Sequence, residues 1–130
     1  MPAHDRFHDA VRHALEKDGW TITHDPLHLR VGMVEYFIDL GAERLLAAEK
    51  NGERIAVEIK SFLGKSALTE FHAAFGQYLE YLVALEERQP DRMLFLAVPK
   101  DIYESFFEQA FIRHLAARYA LKLLVFDEED

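Results

Sequence analysis

Between Arg54 and Phe62 the chain alternates: Ile55, Val57 and Ile59 are interleaved with Ala56, Glu58 and Lys60. A period of two is that of a β-strand, whose successive side chains leave on opposite faces. The pattern fixes a strand here with one greasy face to bury. The other face presents a small residue, a carboxylate and an ammonium in line. Asp39 supplies a second acid upstream. Two acids and a lysine held together bind a hard cation and activate water beside a phosphate.

The surrounding sequence says what kind of sheet receives this strand. Asn51-Gly52, between two apolar runs, is a strong hairpin signal because both residues tolerate positive φ. A two-residue loop there joins strands over 44–50 and 53–61 and pairs Lys50 with Glu53. It sets Leu45 opposite Glu58, Glu49 opposite Arg54 and Glu43 opposite Lys60, with Leu46 and Ala48 meeting Val57 and Ile55 on the core face. An unbroken strand over about 34–40 puts Asp39 on the Glu58 side, with a bend at Gly41. Before it, the stripe Phe7, Val11, Ala14 and Leu15 predicts a helix over about 2–18, stopped by Gly19. Trp20-Thr21-Ile22-Thr23 follows as a short strand, and "HDPLHLR" as the turn leaving it.

The longest helix is expected over about 66–87. Leu68, Phe71, Phe75, Tyr78, Leu79, Leu82 and Leu85 form its apolar stripe, and Pro90 and Asp91 end it. Met93 to Val98 is continuous and apolar, as for a strand covered on both faces, and Pro99 closes it. "DIYESFFEQAFIRHLAARY" reads as helix in two pieces, and 121–126 as a last buried strand. The order αββββαβαβ is that of an α/β domain, a mixed central β-sheet flanked by helices.

The chain has 130 residues, enough for a single domain over 1–130 with a real core. No run of about eighteen apolar residues is present, so no membrane span is expected. "MPAHDRFHDAVRHAL" lacks the apolar centre of a secretory signal. Cysteine is absent, which excludes disulfides and thiolate metal sites and makes a cytoplasmic location the expectation. The formal charge is −8, and Asp127-Glu128-Glu129-Asp130 contribute half of it. An acidic body suits long non-specific DNA contacts poorly, because those need Lys and Arg against phosphates. A small metal site remains compatible, since a cation offsets clustered carboxylates. A partner protein could then supply the DNA-binding surface.

Asp39, Glu58 and Lys60 are the leading constellation. Two carboxylates and a strand carbonyl such as that of Ile59 make a sensible shell for Mg²⁺, which prefers oxygen ligands and keeps several waters. Lys60 would orient or deprotonate the attacking water, or stabilise charge on the phosphate. The competing reading is an ordinary solvated strand face with Lys60 paired to Glu43 across the ladder. The long helix adds Gln77, one turn before Tyr81 at the margin of the apolar stripe. Its amide reaches over a neighbouring sheet and holds a water, phosphate or base, or else it is a plain surface residue.

Asp39 followed by Glu58-Ile59-Lys60 on consecutive strands resembles the PD-(D/E)XK restriction-endonuclease-like superfamily, and Gln77-x-x-x-Tyr81 is similar to the helix motif of its RecB-like and resolvase-like branches. More specifically, "HDRFHDAVRHALEKDGWTITHDPL", "IDLGAERLLAAEK", "IAVEIKSFLG", "GQYLEYL", "PDRMLFLAVP" and "LKLLVFD" together look like the XisH family. These are cyanobacterial-type proteins that control excision of a DNA element interrupting a nitrogen-fixation gene. The resemblance implies a restriction-endonuclease-like core. It also implies work beside a site-specific recombinase and a small XisI-like companion, with Asp39, Glu58 and Lys60 as metal and catalytic positions and Gln77 as an accessory one. Ile38 stands where the superfamily's proline precedes the aspartate. His8 and Asp9 occupy the region where many relatives carry a first-helix glutamate.

Other motifs carry less. His4 and His8 have metal-ligand spacing, as would His24 and His28 on a helix, but Pro26 argues against helix there and no soft ligand completes either pair. Lys50, Arg54, Lys60 and Lys65 make a basic neighbourhood around the hairpin, the expected phosphate-contacting rim if DNA binds. Ser61 has no His or Asp close to it along the sequence to suggest nucleophilic work. Gly64-Lys65-Ser66 lacks the upstream glycines of a P-loop. Three functions follow: a Mg²⁺-dependent nuclease-fold factor of DNA-element excision, an inactive nuclease-fold interaction module, and the nuclease half of a toxin–antitoxin-like pair. Each is compatible with a homo-oligomer.

Overall fold

The computed structural model describes residues 7–44 and 52–127. Helix α1 (His8–Lys17) carries Val11 and Leu15 on its buried side. It ends where the sequence predicts. Gly19 takes φ +92°, the Gly19 N–H donates to Glu16 O at 3.1 Å and the Trp20 N–H to Leu15 O at 3.0 Å. That pair of bonds is a Schellman motif, which only a left-handed residue after the helix permits. The first residues of the predicted 2–18 helix lie outside the described segment.

Strand β1 (Thr21–His24) leads into two strands that form a hairpin of their own, β2 (Leu27–Val31) and β3 (Val34–Ile38). The predicted turn over "HDPLHLR" is therefore wrong in its second half. Leu27 and Leu29 are buried while His28 and Arg30 are exposed, a strand alternation that Pro26 and the neighbouring turn residues obscured. Gly32-Met33 closes this hairpin, with Gly32 at φ +60° as the Gly-X turn requires.

The predicted 34–40 strand breaks at Asp39, not at Gly41. Ile38 ends β3, and β4 (Leu40–Arg44) belongs to the main sheet with β5 (Glu53–Ile59). Their ladder pairs Leu40 with Val57, Ala42 with Ile55, Glu43 with Arg54 and Arg44 with Glu53. The two-residue Asn51-Gly52 loop is thus excluded. Val57 and Ile55 meet Leu40 and Ala42 instead of Leu46 and Ala48, and Glu43 meets Arg54 instead of Lys60. The predicted partners 45–50, with most of the 44–50 strand, lie outside the described residues. The error is an even-numbered slip, which preserves the face of every side chain, so Asp39 still falls on the Glu58 side.

Helix α2 (Ala67–Arg88) starts at Ser66, whose hydroxyl accepts from the Thr69 N–H at 3.2 Å. Such a cap is worth about 1 kcal/mol. The helix carries the chain from β5 to the parallel strand β6 (Arg92–Pro99). A short helix α3 (Lys100–Ile102), a π-helical turn (Tyr103–Phe107) and helix α4 (Ala110–Arg118) then lead to β7 (Leu123–Phe126), parallel to β6. Among the described residues the main sheet has five strands in the order β1-β4-β5-β6-β7. It is a mixed α/β sheet flanked by helices, as expected.

Two apolar layers sandwich β5. Phe7, Val11, Leu15 and Trp20 pack on Ile55, Val57 and Ile59, while Phe71, Tyr78, Phe106 and Ile112 belong to the layer containing Ala56, Leu94 and Leu96. The side of β5 that bears Ala56 and Glu58 is covered as well, so it is not a solvated face. On α2 the buried stripe includes Ala74, Tyr81 and Ala84, whereas Leu68 and Leu79 of the predicted stripe are 50% and 38% exposed. The small alanines let the helix lie close to the sheet, which turns it away from those leucines.

Candidate metal centre

The site forms where the chain changes sheets. The β4–β5 ladder ends at Leu40 opposite Val57, and Asp39 is the bend that sends the preceding residues into β3. Continued pairing would set Asp39 opposite Glu58. The backbones have diverged there, and side chains take over. The Asp39 N–H donates to Glu58 Oε1 at 3.2 Å, and the Ile59 N–H donates to Asp39 Oδ2 at 2.8 Å. Each carboxylate thus fixes the other's strand and satisfies an amide the ladder has released.

Lys60 follows β5 on the same face, and its Nζ lies 3.7 Å from Glu58 Oε2. Glu58 is only 6% exposed. Burial pushes its carboxyl up to about 8, the Asp39 charge adds to the rise, and the Lys60 ammonium opposes it without cancelling it. The doubly ionised pair is therefore under-compensated, and Glu58 keeps its proton unless a cation displaces it. The donor set suits Mg²⁺: two hard carboxylates held side by side, plus the Ile59 carbonyl. That carbonyl leaves the strand on the edge where the Ile59 N–H meets Asp39. Among the described residues no group of three or more His, Asp or Glu side chains is placed to hold a metal ion. Waters would fill the remaining positions, as Mg²⁺ prefers.

Over the carboxylates sits Tyr81, buried on α2. Its hydroxyl donates to Phe37 O at 3.3 Å, two residues before Asp39. Burial, and then the charges of Glu58 and Asp39, push the Tyr81 phenol well above its usual range. From the sequence Tyr81 is expected as a half-buried packing residue at the end of the Gln77 motif. The signal for its closer role was its position one turn along the same face. Gln77 itself is half-buried on α2, and among the described residues it makes no hydrogen bond to Asp39, Glu58 or Lys60.

The remaining candidates scatter. Buried His8 pairs with Asp25 at 2.8 Å, and Arg12 binds the same carboxylate. Burial would raise Asp25, but the bonds to His8 and Arg12 outweigh it and hold the carboxyl low. His8 is thus committed on the α1 side, Asp9 is exposed, and His4 lies outside the described residues. His24 and His28 stand on β1 and β2 rather than on one helix. Of the expected basic rim, Lys50 lies outside the described residues and Lys65 is exposed. Arg54 is held by Glu43 at 2.8 Å and Asp91 at 3.0 Å. Its charge is already answered, so it makes a poor phosphate contact.

The model of the XisH protein family matches residues 1–130. The chain belongs to the XisH family. Two solved structures superpose on it. An XisH family protein from Nostoc punctiforme is 48% identical with a TM-score of 0.87, covering 96% of this chain and 93% of that one. A fdxN element excision controlling factor protein from Anabaena variabilis is 45% identical with a TM-score of 0.85, covering 97% and 93%. No curated protein matches the chain. Among its described residues this XisH chain has no helix long and apolar enough to cross a membrane.

Proposed function

We propose that this XisH chain is an excision controlling factor in site-specific DNA rearrangement. In this reading it has a PD-(D/E)XK-type nuclease core, binds Mg²⁺ at Asp39, Glu58 and the Ile59 carbonyl, and acts with a small XisI-like partner and a recombinase. The excision role comes from the Anabaena variabilis relative. The observation that carries the nuclease reading is the interlocked pair of half-buried Asp39 and buried Glu58, with Lys60 Nζ 3.7 Å from Glu58 Oε2. Bound Mg²⁺ would supply Lewis acidity toward a phosphate oxygen and a coordinated water. Asp39 and Glu58 would hold it, Lys60 would orient or deprotonate the attacking water, and Gln77 would steady water or phosphate at the margin. The acidic surface and the occupied Arg54 leave most DNA contact to the partner.

Isothermal calorimetry with Mg²⁺ tests the metal. Binding should be lost in both Asp39→Ala and Glu58→Ala, and unchanged binding in both removes the metal claim. Cleavage of supercoiled and branched DNA with Mg²⁺ or Mn²⁺, with and without the XisI-like protein, tests the chemistry. A second reading, a nuclease-fold interaction module without cleavage, is favoured by the backbone amides that both carboxylates already cap. No cleavage in any combination would select it.

A further inference from the structure

Away from the carboxylates, the β2–β3 hairpin and α2 leave an open groove of about 360 Å³. The hairpin explains it. Leu27, Leu29 and Ile38 on its inner face are buried in the core, and the same face continues toward the turn as Val31 and Tyr36, packed partly buried at the core's edge, and exposed Val34. Opposite them on α2, Leu79 and Val83 are one turn apart and 38% and 56% exposed. Val34 is 49% exposed and Met33 at the turn 92%. Apolar side chains gathered along a cleft mark an interaction surface, whereas scattered ones do not.

The charge around this groove has one sign. Glu80 and Glu87 line it and no Lys or Arg does. They lie two turns apart on one face of α2, about 10 Å along its axis, with Val83 and Ala84 between them. Glu80 is fixed by the Tyr36 hydroxyl, which donates to it at 2.9 Å. We propose that the groove receives an amphipathic helix of a partner protein, apolar along one face and carrying Lys or Arg two turns apart. A second copy of this chain is the wrong occupant, because it would bring an identical acidic rim to a body of net charge −8. The Tyr36 ring also packs edge-on against Tyr81, with centroids 5.5 Å apart, so the occupant would sit beside the element that clamps the Asp39 bend. The inference does not rest on cleavage or on Mg²⁺ binding.

The test uses the full chain and a synthetic Leu/Lys amphipathic helix with lysines two turns apart, beside a Leu/Glu counterpart. NMR shifts should concentrate at Val34, Leu79 and Val83 with the lysine probe and be absent with the glutamate probe. Val83→Glu should weaken the lysine probe about tenfold or more, even though it adds negative charge. Purely electrostatic adhesion would instead tighten. Val83 is exposed, so the variant keeps its fold, which circular dichroism checks. Glu80→Gln with Glu87→Gln should flatten the salt dependence. Absence of binding, shifts spread away from the groove, or Val83→Glu binding as tightly as wild type each overturns the proposal. So does a dimer of the free chain that Val83→Glu dissolves.

Discussion

Replacing Glu58 with Gln should remove a pH-dependent penalty on folding. The carboxyl starts from 4.5 unfolded and rises to about 8 in the folded chain, first by burial and then by the Asp39 charge. Below about pH 4.5 both states hold the proton, and Glu58 contributes no pH dependence. Between 4.5 and about 8 the folded state keeps the proton and the unfolded state has lost it, so stability falls as pH rises. At about 1.4 kcal/mol per unit the loss reaches about 5 kcal/mol at most, a large share of a small domain's stability. Glutamine fills the same space, and its amide oxygen still accepts from the Asp39 N–H. Urea denaturation followed by circular dichroism between about pH 5 and pH 8 should show wild type losing stability relative to Glu58→Gln. The variant should be the more stable protein at the alkaline end. Mg²⁺ at about a hundredfold over its Kd should return about 3 kcal/mol to wild type there and leave Glu58→Gln unchanged. Parallel pH profiles for the two proteins would refute the account of Glu58.

Three further outcomes follow from the packing. Ala120 takes φ +53° after α4, where the Leu121 N–H reaches Ala116 O at 2.8 Å, so Ala120→Gly should relieve about 1 kcal/mol and raise Tm by about 4 °C in calorimetry. A Cβ at position 41 would meet Arg92 Nη1 and His24 at 3.2 Å, and Arg92 is tied to Ile55 O at 2.7 Å, so Gly41→Ala should cost about 1–3 kcal/mol in urea unfolding. Tyr78→Phe removes the hydroxyl that donates to Leu94 O and accepts from the Lys122 N–H, and should cost about 1–3 kcal/mol by the same measurement.

What was legible in the sequence follows the range over which each signal acts. Periodicity is local, and it placed β5, α2, β6 and the α3–α4 region to within a few residues, while Gly19 marked its helix end. Register is not local. Asn51-Gly52 is an attractive two-residue turn, yet the ladder that forms pairs Leu40 with Val57, because burying Leu40 and Ala42 under α1 outweighs the local turn preference. The face of Asp39 survived that error only because a strand repeats every two residues. Burial of Glu58 was illegible for a different reason. The alternation Ala56-Glu58-Lys60 reads the same whether its face meets water or a helix, and only the docking of α2 decides between them. That choice turns an ordinary strand carboxylate into a buried one raised to about 8 and bonded to the Asp39 backbone, rather than a solvated edge.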